Sequence, residues 1–258
     1  MPLKNVATLL VTVVIFTGAV RLAAPAKVPV SEVPLTSSQK SEIEGLIGRY
    51  LRENPRVIVE AIQNLQRQED KIRHRQATQN LARYRQQLID NPASPFVGKR
   101  NASITVVEFF DYRCLYCKRM LPAIERLLKE DTDVRYVFKE FPILSSESRI
   151  AAAAALAAWN TDSDHYYNLH RGLMGARRKL TRDRIFEIAR KAGYDIVRLQ
   201  NAMQAPEVES EILANTRLAQ QVGITGTPGF IIGERIVEGT INFDTLKNII
   251  AEARAKSG

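Results

Sequence analysis

Cysteine and histidine are scarce. Cys114 and Cys117 are the only cysteines among 258 residues, and His74, His165 and His170 the only histidines. A structural zinc would want two ligands beyond the cysteine pair, and with only those histidines on offer no metal site is expected. Long apolar runs are lacking too. The main one, Val6 to Val20, is 15 residues long, short of the roughly 20 that span a bilayer. It follows Lys4 and precedes Ala24-Pro25-Ala26, the pattern of an export signal over residues 1–26. Arg21, between the apolar core and the cleavage point, keeps an uncleaved membrane anchor as the alternative. Either way the remainder faces an oxidising compartment, the periplasm in a Gram-negative bacterium. No aromatic or glycine-rich nucleic-acid motif accompanies the formal charge of +9, which is densest at Arg67–Arg85 and Arg177–Arg190 with acids interspersed. That charge reads as solvated helix faces, and no nucleic-acid partner is expected. There is no internal repeat, and no low-complexity segment beyond the alanine-rich run 151–158.

What is present divides into four parts. Residues 27–36, with Pro29 and Pro34, form an extended linker. Residues 37–90 are a helical appendage. Ser37 or Ser38 can cap its first helix, and Ile43, Leu46, Ile47, Tyr50 and Leu51 follow at helical spacing. Asn54-Pro55 interrupts it, with Pro55 suited to a new helix start. Ile58, Leu65 and Ile72 lie seven apart, but the column Ile62, Glu69, Gln76, Arg83 turns polar after one heptad, so a sustained zipper is not supported. About 50 residues with so little core favour burial against another chain or against the main domain; a solvated linker helix is the alternative. Asp90-Asn91-Pro92-Ala93-Ser94-Pro95 marks a boundary, and residues 91–258 make the main domain.

Within it, Ile104–Phe110 is a β-branched and aromatic run of strand length, and Met120, Leu121, Ile124, Leu127 and Leu128 share a helix face. Val134–Phe141 is a second strand. Residues from about 145 to 217 are helical throughout, and Phe230–Ile232, a Gly233-Glu234 turn and Arg235–Glu238 form a hairpin before a last helix from Phe243. The order predicts an α/β protein: a thioredoxin fold with a helical insertion and an N-terminal helical appendage. The cysteine pair sits where a buried strand hands over to a helix N-terminus. There, orphan backbone N–H groups and the positive end of the helix dipole favour thiolate over thiol. Such sites lower a cysteine pKa from about 8.5 to roughly 3.5–7.5.

Val107-Glu108-Phe109-Phe110-Asp111-Tyr112 followed by Cys114-Leu115-Tyr116-Cys117, with Thr227-Pro228 far downstream, resembles the DsbA family of thioredoxin-like thiol–disulfide oxidoreductases from about Pro92 onward. Through Tyr50-Leu51-Arg52-Glu53-Asn54-Pro55 the resemblance extends to the ScsC-like (suppressor of copper sensitivity) subgroup, whose appendage can assemble the chain into an oligomer, notably a trimer. The resemblance implies Cys114 as the attacking thiolate, Cys117 as the resolving thiol, and Leu115 and Tyr116 as the pair that tunes redox poise. It implies a cis Thr227–Pro228 bond in a loop that contacts substrate; Pro cannot donate to a ladder, which leaves neighbouring backbone groups for an incoming peptide. Glu108 is an acid inside an apolar strand, costly there without a role. The resemblance makes it the proton acceptor of the resolving thiol; a solvent-facing Glu is the alternative. Tyr116, where the best-known oxidase has His, and Thr227, where it has Val, both resemble disulfide isomerases.

The expected function is an exported, periplasmic thiol–disulfide interchange protein, an isomerase or reductase acting on unfolded or misoxidised exported proteins. A DsbA-like oxidase is the alternative. An isomerase needs a membrane electron donor of DsbD or ScsB type, an oxidase a DsbB-like reoxidant. The expected chain is a homo-oligomer with no cofactor beyond its own Cys114–Cys117 disulfide. A copper-binding or chaperone-like module using the dithiol is a further alternative, since soft thiolates suit Cu(I).

Overall fold

The computed structural model describes residues 34–257. The expected export signal, and the linker as far as residue 33, lie outside the described residues. Two compact units divide between Ile62 and Gln63.

In the first unit, helix α1 (Ser37–Glu53) starts at Thr36, whose hydroxyl accepts from the Gln39 N–H while the Gln39 side chain accepts from the Thr36 N–H. Thr36, one residue before the serines favoured by sequence, wins because this reciprocal capping box satisfies two orphan N–H donors. Asn54 ends α1 and Pro55 opens α2 (Pro55–Arg83), which runs on into the second unit. No residue of α1 is buried, and Ile43, Leu46, Ile47 and Tyr50 are all exposed.

The second unit is built on a five-stranded sheet in the order β1-β3-β2-β4-β5. β2 (Ile104–Phe110) pairs parallel with β3 (Val134–Glu140) through the crossover helix α4 (Leu115–Glu130). β4 (Gly229–Ile232) lies antiparallel to β2 and to β5 (Arg235–Glu238), and β1 (Phe96–Val97) antiparallel to β3. Between β3 and β4 run α5 (Ser146–Thr161), a 3-10 turn (Ser163–His165), α6 (Tyr166–Met174), α7 (Arg182–Lys191), α8 (Ile196–Ala202) and α9 (Pro206–Val222). This is the thioredoxin fold with its helical insertion; α10 (Phe243–Ser257) closes it.

Strand periodicity sorts β2 into two cores. Val107 and Phe109 face Leu81, Leu88, Val137, Phe141, Leu218 and Ile231, whereas Val106 and Phe110 join Cys117, Ile124, Phe138 and Leu246 on the other side. Glu108 shares the parity of Val106 and Phe110, which aims it at the core around α4 rather than at solvent. All seven residues of β3 are buried, Arg135, Lys139 and Glu140 included, so this strand carries three charged residue types that need internal partners.

Candidate active site

The C-terminal end of β2 delivers the chain through Asp111-Tyr112-Arg113 to Cys114, the N-cap of α4. Asp111 fixes this corner: its carboxylate accepts from the Arg113 N–H at 2.7 Å and the Leu144 N–H at 3.0 Å. Both cysteines are free thiols. The Cys114 sulfur accepts from the Cys117 N–H at 3.4 Å and donates to the Thr227 carbonyl at 3.2 Å. Cys114 is more enclosed than its cap position suggests, at 5% exposure. Its pKa is nevertheless lowered to about 5, chiefly because the Cys117 thiol donates to the thiolate, helped by the Thr227 side and the N–H groups of Cys117 and Tyr116, against the cost of burial. Cys117 is at 1% exposure, and burial pushes its thiol far up, with the hydrogen bond to Cys114 and the nearby Glu108 charge adding to the rise. One thiol is thus poised as a thiolate and the other held protonated.

Glu108 is buried, and its pKa is raised to about 8 by desolvation, which outweighs the Tyr136 hydroxyl donating to Oε2 at 2.9 Å. Its Oε1 has no hydrogen-bond partner among the described residues. Leu115 and Tyr116, between the cysteines, are exposed at 58% and 54%. The Thr227–Pro228 peptide is cis, and this loop leads into β4 beside β2. The structure therefore brings Cys114, Cys117 and Thr227 into contact, puts Pro228 next to them in the same loop, and lays Glu108 beneath the pair. Leu115 and Tyr116 form the outward lip.

Sequence reasoning missed two parts of the surroundings. Lys118 donates from Nζ to the carbonyls of Leu173, Met174 and Ala176 at 3.2, 2.9 and 3.0 Å. It ties the end of α6 to the first turn of α4. Behind Cys114, Tyr112 donates to the Glu140 carboxyl at 3.1 Å and meets His170 Nδ1 at 3.2 Å, all three buried. Burial holds Glu140 well above the usual carboxylate range and lowers His170 to about 3, so both are neutral and act as packing. The available signal was Lys139-Glu140 in a strand whose other residues, Arg135 apart, are apolar or aromatic.

With this geometry in place, comparison with known proteins is specific. A DSBA-like thioredoxin domain matches residues 105–251, more than half of the chain, and the Copper resistance protein ScsC N-terminal domain matches residues 39–71. Proteus mirabilis ScsC in a transitional conformation is 30% identical, with a TM-score of 0.64 over 86% of this chain and 100% of that one. A thioredoxin-like oxidoreductase from Silicibacter pomeroyi is 38% identical, with a TM-score of 0.63 over 66% of this chain and 98% of that one. Disulfide bond formation protein D of Bacillus subtilis is 25% identical over 166 residues, 60% of this chain and 75% of that protein. Of the Na(+)/H(+) antiporter NhaA 3 from Salinispora tropica, by contrast, the chain spans only 24% of the length, at 26% identity over 160 residues. A strand-to-helix dithiol in a thioredoxin fold, a downstream Thr-Pro loop and both domain matches agree: the chain belongs to the DsbA- and ScsC-like family of thiol–disulfide oxidoreductases.

Proposed function

We propose that this protein is an exported, periplasmic thiol–disulfide interchange enzyme that works mainly as an isomerase or reductase on misoxidised client proteins. The observation that carries the proposal is the asymmetry of the pair, with Cys114 at a pKa of about 5 and Cys117 buried as a thiol. The Cys114 thiolate attacks one sulfur of a client disulfide; that S–S bond breaks, a mixed disulfide to Cys114 forms and the other client sulfur is freed as a thiolate on the bound client. A second client thiolate can then attack the mixed disulfide, returning Cys114 and leaving a rearranged client with no net change in electrons. If the client stalls, Cys117 gives its proton to the Glu108 carboxylate and attacks Cys114 Sγ. The reduced client is released and the Cys114–Cys117 disulfide forms, which a membrane electron donor must then reduce. A Glu108 pKa of about 8 keeps donor and acceptor states both accessible near neutral pH. No cofactor beyond the pair is needed.

Direction follows from how strongly the thiolate is held. A thiol near 5 lies between the strongest oxidants, at about 3.5, and thioredoxin, at about 7. Tyr116 supplies no imidazolium to stabilise the reduced form further. The name of the Bacillus relative favours net disulfide formation, with a quinone-linked reoxidant, as the second reading. The loop at Thr227 and Pro228, in contact with the reactive sulfur, is where the client backbone docks. The bare apolar positions of α1 and the match to the ScsC N-terminal domain support assembly into a homo-oligomer, so that several dithiols hold one client at high effective concentration.

Refolding of scrambled ribonuclease by the reduced protein tests the proposal. Activity should be restored by the native chain and lost in Cys114→Ala. Activity that survives Cys114→Ala sinks the mechanism; oxidation of reduced ribonuclease without unscrambling moves the assignment to the oxidase.

A further inference from the structure

Beside the dithiol lies an open groove of about 490 Å³ that the exchange chemistry leaves unused. One wall comes from the start of α4 and the residues before it, with Arg113 and the exposed Leu115. The other comes from Met174 and the loop after α6, with Arg177, Arg178 and Lys179. The charge here is one-sided. Glu147 is the acid that meets it, accepting from Arg113 Nη1 at 3.2 Å and Lys179 Nζ at 2.8 Å. Asp111 is buried and committed to two backbone N–H groups. Lys118 has turned its ammonium onto three carbonyls. Arg177 and Arg178 are exposed, and neither has an ion-pair partner among the described residues. One carboxylate therefore faces four solvent-accessible cations around an apolar floor that begins at the residue after the attacking cysteine.

We infer that this groove selects the client: it takes an extended peptide segment carrying Asp or Glu within a few residues of the cysteine that Cys114 attacks. The placement supports a peptide rather than a free anion, because the groove begins at Leu115, next to Cys114, to which a client segment is joined in the mixed disulfide. The mixture of Leu115 and Met174 with arginines suits a chain that alternates acidic and apolar side chains. Guanidinium groups suit carboxylates through paired N–H donors. A one-sign cleft also raises the local concentration of its counter-charge and hence the encounter rate.

The inference rests on the exchange activity proposed above, and the experiment separates the two. Rate constants are measured for the reduced protein attacking three peptide disulfides that differ only in flanking residues, Glu-Glu, Gln-Gln or Lys-Lys, at low and high salt. The Glu peptide should react about tenfold faster than the Gln peptide at low salt, and the preference should shrink in high salt. Arg177→Gln/Arg178→Gln should abolish the preference and Arg177→Glu/Arg178→Glu reverse it. Lys99→Gln/Arg100→Gln removes the same charge before β2, at the far end of that strand from Cys114, and should leave the preference intact. Equal rates for all three peptides, or a preference that survives in the Arg177 and Arg178 variants, overturns the groove assignment. Failure of the native protein to attack even the Gln peptide overturns the exchange activity instead.

Discussion

At the scale of the residue, the site is two groups pushed in opposite directions by the same small volume. Cys114 is pulled down to about 5 by donors at a helix N-terminus, and Glu108 is pushed up to about 8 by the dry strand that carries it. Alkylation of the reduced protein should be half-maximal near pH 5 and level through neutrality, and Cys117→Ala, which removes the leading donor, should move the midpoint upward. For Glu108 the consequence is a stability that depends on pH. Below about pH 4.5 the carboxyl is neutral in both states and costs little. As pH rises the unfolded state ionises first, and the penalty of the fold is complete above about pH 8. At roughly 1.4 kcal/mol per pKa unit this is on the order of a few kcal/mol. Glu108→Gln, whose amide oxygen still accepts from Tyr136, should match the native Tm at pH 4 and exceed it at pH 8.5; a lower Tm at pH 8.5 would show that the carboxylate is solvated. Cys114, Cys117 and Glu108 were legible in the sequence because each stands out against its neighbours: two lone cysteines two residues apart, and an acid in an apolar run. Tyr136 and the carbonyls under Lys118 were not, because those partners lie 28 and 55 or more positions away, and no local pattern encodes which long side chain the fold turns inward.

At the scale of the element, β3, an inner strand between β1 and β2, buries Lys139. Its ammonium donates to Ser94 Oγ at 2.6 Å and the Gln87 carbonyl at 2.7 Å, with Glu211 of α9 at 4.0 Å; Glu211 in turn accepts from Asn91 and Ser94. This polar knot fastens α3 (Arg85–Ile89) and the turn after it to the sheet. Burial lowers the Lys139 pKa to about 8, against the pull of Glu211. Lys139→Met should cost roughly 3–5 kcal/mol in urea unfolding, because it strands a buried carboxylate, and Lys139→Met/Glu211→Leu should recover most of the loss. A double variant no better than the single one would mean that the knot is wet. Two of the longer elements were readable locally: β2 lies where its β-branched and aromatic run puts it, and α4 carries the helix face of Met120, Leu121, Ile124, Leu127 and Leu128. β1 was not, since two residues carry no period, and its place is set by pairing with β3. The start of α1 shifted to Thr36 because a cap is decided by a reciprocal pair of hydrogen bonds, which residue type alone leaves open.

At the scale of the whole molecule, a catalytic unit that is well packed is joined to a helical segment that buries nothing of its own. Ile43, Leu46, Ile47 and Tyr50 together expose an apolar surface that a lone chain would leave wet. Light scattering should report an oligomer for the chain from residue 27 onward and a monomer once residues 37–62 are also removed, and Leu46→Glu/Ile47→Glu should give a monomer without that deletion; a monomer before either change, or an unchanged subunit number after both, would remove the assembly proposal. The truncated chain keeps Leu81 and Leu88, which belong to the second core, so the catalytic unit should stay folded. The outward lip formed by Leu115 and Tyr116 has a consequence on a longer timescale. Those two side chains border the reactive sulfur, yet they contribute almost nothing to the core, so replacements there escape the stability threshold that restrains most of the domain. On the redox-tuning role proposed for Leu115 and Tyr116, the direction of exchange is an evolvable setting: two surface residues can be traded while the scaffold beneath them stays constant.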